Sequence, residues 1–178
     1  RNLVASGEDR FECDGCGRET RLYCVRCLQT SLPLPPPLSL GVNVTIFMHS
    51  KEPVAKSSTT PLPLLSPDVQ VLPWDYMDAK DIDRQGAWLV YPREGAVNAE
   101  DVDWRQVSQL ILLDSRWQHA GRMANHPHLA SLPTMSISGG QKSCFWRTVT
   151  SKMTDVPENL MSTAECLHYL LKVRAAAF

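Results

Sequence analysis

The sequence predicts an α/β protein with a mainly parallel β-sheet, preceded by a small module in which four cysteines bind zinc. Two observations carry this prediction. Short segments that are apolar throughout alternate with helical segments, and two Cys-x-x-Cys pairs lie near the start of the chain. Strands that are apolar on both faces are typical of parallel sheets covered by helices on both sides. At 178 residues, 43% of them apolar, the chain is long enough for one domain of roughly 150 residues and a small appendage.

The strongest spacing signal is a set of four cysteines within fifteen residues, Cys13, Cys16, Cys24 and Cys27. Four thiolates at this spacing can close a tetrahedral shell around zinc. Such a shell leaves no position for a reacting water, so the metal is predicted to be structural. Two disulfides and a redox pair are the alternatives. The first needs an oxidising compartment, and the second needs a Cys-x-x-Cys that opens a helix.

Composition divides the chain into the zinc module at 1–31, a Pro-rich linker at 32–40 and a main domain at 41–178. The linker contains four prolines and is therefore predicted to be stiff and extended. The sequence begins without Met and ends at Phe178 within a predicted helix. This is the pattern expected of a fragment truncated at its carboxyl terminus.

Four strands are predicted in the main domain, at 41–49, 69–72, 87–91 and 109–113. Helices are predicted at 98–107, at 116–125 and from Thr163 onward, where Ser162-Thr163-Ala164-Glu165 has the spacing of a capping box. In parallel sheets, ligands bind beyond the carboxyl ends of the strands. Two polar segments follow such ends, Tyr91-Pro92-Arg93-Glu94 and Asp114-Ser115-Arg116-Trp117.

Charge is distributed unevenly along a chain whose formal net charge is only −1. Residues 68–103 carry nine acids and three bases, whereas residues 104–152 carry six bases and one acid, Asp114. The small net charge argues against indiscriminate nucleic-acid binding. The basic segment is interpreted either as an ordinary solvated face or as an anion-binding surface. Because the sequence has neither an apolar run of about 18 residues nor a secretory signal, we expect a soluble intracellular protein, nuclear or cytoplasmic, with no membrane partner.

Several catalytic motifs are missing from the sequence. It contains no Gly-rich nucleotide loop and no Gly-x-Ser-x-Gly elbow, and its five histidines lack paired metal spacing. Kinase, dinucleotide-binding and triad-hydrolase interpretations therefore lose their main support. What remains is one carboxylate, Asp114, at the end of the most apolar strand, with Trp117 three residues further on.

The segment Leu112-Leu113-Asp114-Ser115-Arg116-Trp117-Gln118-His119-Ala120 resembles the signature of the DTW-domain proteins, the tRNA-uridine aminocarboxypropyltransferases. Further segments occur in the family's order: the two Cys-x-x-Cys pairs, Lys56-Ser57-Ser58-Thr59, Tyr91-Pro92-Arg93-Glu94-Gly95-Ala96, Leu132-Pro133 and Ser162-Thr163-Ala164-Glu165. Together they span nearly the whole chain and are most similar to the eukaryotic members with a zinc knuckle. In one departure, Arg116 stands where the family usually has Thr or Ser.

The resemblance implies a SPOUT-like fold with a knotted cofactor-binding region. It also implies transfer of the 3-amino-3-carboxypropyl group of S-adenosylmethionine to N3 of a tRNA uridine, which releases methylthioadenosine. Uracil N3 carries a proton that must leave as the nitrogen attacks, so Asp114 is the candidate catalytic residue, acting as a general base or orienting the imide. Alignment of the attacking nitrogen, the transferred carbon and the sulfur in a line is expected to contribute more to the rate than this acid–base catalysis.

The segments that resemble the family supply the candidate cofactor-binding residues: Ser58, Thr59, Tyr91, Pro92, Glu94, Ala96, Trp117, Leu132, Ser162, Thr163 and Glu165. Trp117 has a second interpretation as a core anchor for its helix, and Ser162 and Glu165 are also explained by helix capping alone. The candidate RNA-binding residues are four bases in the second half of the chain: Arg116, Arg122, Lys142 and Arg147. Two other functions stay open, an inactive zinc-knuckle scaffold that binds RNA and an S-adenosylmethionine-dependent RNA methyltransferase.

Overall fold

The computed structural model describes residues 10–137, 143–144 and 161–178. Its strands are β1 (Phe11–Glu12), β2 (Glu19–Thr20), β3 (Asn43–Met48), β4 (Val69–Pro73), β5 (Ala87–Val90), β6 (Val97–Asn98), β7 (Gln109–Asp114) and β8 (Thr134–Ser136). Its α-helices are α1 (Leu62–Leu65), α2 (Trp117–Ala124), α3 (Pro127–Ala130) and α4 (Thr163–Ala176). None of the helices in these described ranges is both long and apolar enough to cross a membrane.

Six strands form one sheet in the order β4-β3-β7-β5-β8-β6, and all of its strand pairs are parallel. The carboxyl ends of these strands therefore lie at one edge of the sheet, which we call the carboxyl edge. In the central pair, Met48 at the end of β3 lies opposite Asp114 at the end of β7. The remaining strands, β1 and β2, form a separate antiparallel pair within the cysteine-containing module.

The sheet is buried on both faces because its central strands are apolar in consecutive positions. In β3, every residue from Val44 to Met48 is buried. On one face, Val44, Ile46 and neighbouring residues pack with Leu167 and Leu170 of α4. On the other face, Phe47 belongs to a cluster that also contains residues of α2 and α3. This arrangement confirms the prediction of an α/β protein with a mainly parallel sheet.

Most of the predicted elements are present, with shifts of one or two residues at their ends. The four strands correspond to β3, β4, β5 and β7, and the helices predicted at 116–125 and from Thr163 correspond to α2 and α4. The capping box at the start of α4 is also present, with Ser162 and Glu165 bonded reciprocally to backbone N–H groups.

The helix predicted at 98–107 is wrong. Val97 and Asn98 form β6, and two short 3₁₀ turns follow, Ala99–Asp101 and Trp104–Gln106. Trp104 explains the difference, because its buried indole donates a hydrogen bond to the carbonyl of Ala99 at 3.0 Å. Tertiary burial of this indole therefore overrides the weak local preference for a helix.

Gly86, just before β5, gives a test of how tightly the sheet is packed. A Cβ atom at Gly86 would lie 2.8 Å from Cβ of Ser108 and 3.1 Å from its backbone nitrogen. We expect Gly86→Ala to lower the free energy of unfolding by about 1–3 kcal/mol, the usual cost of overpacking. Gly121→Ala is the matched control, because a Cβ there would meet only Oη of Tyr91, at 3.4 Å, and alanine favours a helix. Equal unfolding midpoints for the two variants in urea would contradict this packing.

Candidate active site and metal centre

The four cysteines of the amino-terminal module form one cluster. The Sγ atoms of Cys13, Cys16, Cys24 and Cys27 all lie within 4.8 Å of one another, and those of Cys16 and Cys24 are 3.6 Å apart. Tetrahedral zinc with Zn–S bonds of about 2.3 Å places its sulfurs about 3.8 Å apart. The donor set therefore fits a metal ion such as zinc, with no coordination position left for water.

Two similar turns bring the thiols together. The carbonyl of Cys13 accepts hydrogen bonds from the N–H groups of Cys16 and Gly17, and the carbonyl of Cys24 accepts one from Leu28. Gly17 and Leu28 occupy equivalent positions with φ of 65° and 51°, a region that glycine adopts without strain. The backbone N–H groups of Cys27 and Arg26 lower the pKa of the Cys24 thiol to about 6. The fold therefore stabilises the thiolate of Cys24, the form that binds metal, whereas burial raises the pKa of the Cys13 thiol and raises that of Cys27 to about 12.

Asp114 holds two distant segments together at the carboxyl edge. Its Oδ2 accepts hydrogen bonds from Ser57 Oγ at 2.5 Å and from Thr59 Oγ1 at 2.7 Å. Its Oδ1 accepts one from Thr163 Oγ1 at 3.1 Å. A carboxylate has about four lone-pair sites, so three of them are used by the protein itself. Asp114 is thus an organising residue that joins the segment 57–59 to the start of α4.

A second hydrogen bond links the same two segments. The hydroxyl of Ser58 accepts a hydrogen bond from the backbone N–H of Ala164 at 3.3 Å. This N–H belongs to the first turn of α4, where donors have no partner within the helix. Segment 57–59 is therefore fixed to α4 both through Asp114 and by direct capping.

Glu165 extends this connection to a third segment. Its carboxylate accepts hydrogen bonds from the N–H of Ser162 at 2.7 Å, the N–H of Cys144 at 2.7 Å and the hydroxyl of Ser143 at 2.9 Å. Burial raises the pKa of this carboxyl, but the hydrogen bonds from Ser162, Ser143 and Cys144 outweigh burial and lower it. Glu165 is therefore held ionised as an anchor for residues 143–144.

The candidate cofactor residues fall into two groups. Most lie at the carboxyl edge, either in the Asp114 network or directly after β5: Ser58, Thr59, Ser162, Thr163, Glu165, Tyr91, Pro92, Glu94 and Ala96. The side chain of Thr59 is fully buried and bonded to Asp114. Leu132 instead precedes β8 with its side chain in the apolar core, and its carbonyl accepts a hydrogen bond from Arg93 at 2.8 Å.

Trp117 is the first residue of α2, and its side chain is 59% exposed. This exposure excludes the interpretation of Trp117 as a core anchor. Arg116 occupies the N-cap position of α2, the position just before the first helical residue, but its side chain makes no capping hydrogen bond. Its backbone N–H instead donates to Glu52 Oε1 at 2.8 Å.

A stacked pair of histidines lies next to Asp114. His49 follows β3, and its N–H donates to the carbonyl of Asp114 at 3.0 Å. Its ring stacks on that of His119 in α2, with ring centres 4.4 Å apart and planes 11° apart. Sequence reasoning missed this pair, because 70 residues separate its members and only the pairing of β3 with β7 brings them together. The candidate RNA-binding residues Arg116 and Arg122 lie nearby, whereas Lys142 and Arg147 lie outside the described residues.

Comparison with known families gives one match. A family model described as DTW domain matches residues 10–176. No curated protein and no solved structure matches the chain.

The cysteine cluster predicts that the module depends on metal. We expect Cys13→Ser to abolish stoichiometric zinc binding and to unfold the module, because structural zinc in such modules contributes on the order of 10 kcal/mol to folding. Zinc content is measured by inductively coupled plasma mass spectrometry, and folding of residues 10–30 by hydrogen exchange. The matched control is Cys144→Ser, a change at an exposed cysteine outside the cluster. A Cys13→Ser protein with normal zinc content would contradict the assignment.

The Asp114 network predicts energetic coupling between distant residues. We expect Thr163→Val to lower the free energy of unfolding by about 1–2 kcal/mol, because it removes a hydrogen bond to a charged group. In a double-mutant cycle with Asp114→Ala, the two changes are expected to couple by about 1 kcal/mol.

Thr134→Val is the control for this cycle. It removes the hydroxyl of a buried threonine. This hydroxyl donates a hydrogen bond to the carbonyl of Leu132 and makes none to Asp114. Its effect is expected to add to that of Asp114→Ala within about 0.5 kcal/mol. Equal coupling energies in the two cycles would contradict the network.

Proposed function

The chain belongs to the DTW-domain family, the family of tRNA-uridine aminocarboxypropyltransferases, and we propose that it transfers the 3-amino-3-carboxypropyl group of S-adenosylmethionine to N3 of a tRNA uridine. In this reaction a bond forms between N3 of uracil and the terminal carbon of the aminocarboxypropyl group. The bond between that carbon and sulfur breaks, the N3 proton is lost, and methylthioadenosine leaves. The observation that carries the proposal is the Asp114 network at the carboxyl edge of a parallel sheet, where ligands of such sheets bind.

The side chains and backbone groups at the carboxyl edge are chemically suited to S-adenosylmethionine. Hydroxyl and backbone groups at Ser58 and Ser162 can bond polar groups of this cofactor. Backbone groups at 91–96, 132–135 and 162–165 would hold the adenosine. When bound, the sulfonium supplies the electrophilic carbon and a good leaving group.

Asp114 would act mainly by positioning. Three of its lone-pair sites hold Ser57, Thr59 and Thr163, and this bonding fixes the walls of the proposed pocket. The remaining site can accept the N3–H of uracil and so orient the imide. Fixing the reacting atoms in line is the larger contribution, because well-oriented groups can gain about 7–11 kcal/mol over free encounter.

The arginine at position 116 is compatible with activity. Arg116 occupies the position that caps α2, where Thr or Ser would bond a free backbone N–H. Its side chain lies outside the Asp114 network. The departure from the family therefore removes a side-chain capping hydrogen bond at the start of α2 and leaves that network intact. This is an argument against an inactive scaffold.

A product assay tests the proposed reaction. The purified chain is incubated with S-adenosylmethionine and an unmodified tRNA transcript, and nucleosides and small products are measured by mass spectrometry. We expect 3-(3-amino-3-carboxypropyl)uridine and an equal amount of methylthioadenosine. Release of S-adenosylhomocysteine with a methylated nucleoside would instead identify a methyltransferase, and folded protein that binds no S-adenosylmethionine would identify a scaffold.

Asp114→Asn is the informative variant in this assay. We expect it to lower turnover by at least about 100-fold, because the amide replaces one acceptor oxygen by a donor and breaks the network. Asp101→Asn, a change at an exposed acid in the turn after β6, is the matched control and should keep the activity of the unmodified chain. Equal turnover in the two variants would reject the role of Asp114.

A further inference from the structure

We propose that His49, Lys51, Arg116, His119 and Arg122, the basic patch, bind the phosphate backbone of the RNA substrate, and that Trp117 at the start of the same helix stacks on one of its bases. This inference rests on the proposed function, because it names the surface that would hold the substrate of the same site. Residues on two elements build the patch, the turn after β3 and helix α2.

The geometry of the patch follows from the pairing of β3 with β7. His49 leaves β3 beside Asp114 and stacks on His119. The backbone of Lys51 is held next to His49, since its N–H donates to Nδ1 of that ring at 3.1 Å. Arg122 lies three residues after His119 and therefore on the same side of α2. The patch thus lies directly beside the Asp114 network.

The positive charges around His119 disfavour protonation of its ring. Burial lowers the pKa of His119, and the nearby charges of His49, Lys51, Arg122 and Arg116 lower it further. Arg116 is the one member with a counter-ion among the described residues, since its Nε lies 3.9 Å from Glu52 Oε1. Within that part of the chain, no carboxylate lies within 4.0 Å of the side-chain nitrogens of Lys51 or Arg122. An anion from outside would therefore relieve this repulsion.

The exposed indole argues for RNA over a small anion. Trp117 is 59% exposed at the start of α2, next to Arg116. Single-stranded nucleic acids are typically held by cations that follow the backbone and by aromatic rings that stack on bases. A uridine must leave its stack to react, and a loop nucleotide does so at least cost. An exposed indole at the edge that carries Asp114, on the same helix as cations of the patch, fits a nucleotide flipped out of such a loop.

The test measures RNA affinity without S-adenosylmethionine, so that its outcome is independent of turnover. Binding of an unmodified tRNA transcript is followed by fluorescence anisotropy between 50 and 200 mM salt. We expect Lys51→Ala combined with Arg122→Ala to raise Kd about 10-fold and to reduce the slope of log Kd against log salt by about 1.5, because two phosphate contacts are lost. Trp117→Ala should raise Kd by about 10-fold with no change of slope, since stacking releases no counterions.

Lys80→Ala combined with Arg105→Ala is the matched control, because it also removes one lysine and one arginine, but at positions outside the patch. We expect this control to keep the affinity and salt slope of the unmodified chain, and both double variants to bind S-adenosylmethionine equally well in calorimetry. If the two double variants lose RNA affinity equally, the patch is refuted, because RNA affinity then depends on the net charge of the chain and not on where the charges lie. If the patch variants alone lose RNA affinity but the chain forms no aminocarboxypropyl product, the patch stands and the proposed reaction falls.

Discussion

The carboxylate of Asp114 is the interaction on which the site depends. Its three hydroxyl partners come from residues 49 to 57 positions away, and no local preference would hold them together. The parallel pairing of β3 with β7 places Asp114 at the end of a buried strand, within reach of both segments. Because a partly buried carboxylate such as Asp114 loses some of its hydration, its hydrogen bonds stabilise both the fold and the site. We propose that this residue both orders the pocket and orients the substrate.

The cysteine cluster is built differently from the Asp114 network. Its four thiols lie within fifteen residues, and the two turns that carry them are closed by hydrogen bonds inside the module. Metal binding can therefore fold this module without help from the sheet. The chain thus combines a locally determined module with a site that requires the complete sheet. This division explains why the cysteine cluster is evident in the sequence and the Asp114 network is not.

Sequence reasoning predicted the features that depend on local pattern. Apolar runs gave β3, β4, β5 and β7, and the capping box gave the start of α4. It missed β6 and β8, because strands of two and three residues carry too few positions for a pattern. It identified Asp114 as a candidate without its hydroxyl partners, and it missed the stack of His49 on His119, because both depend on strand pairing between distant residues.

Hydrogen exchange with and without S-adenosylmethionine tests the central claim most directly, since it reports the two bridged segments separately. If Asp114 organises the pocket, the ligand should slow exchange of the backbone amides at 57–60 and at 163–166 together in the unmodified chain. In Asp114→Asn, this joint protection should be lost while the amides of the central strands β3 and β7 keep theirs. Protection of both segments that persists unchanged in Asp114→Asn would contradict the account.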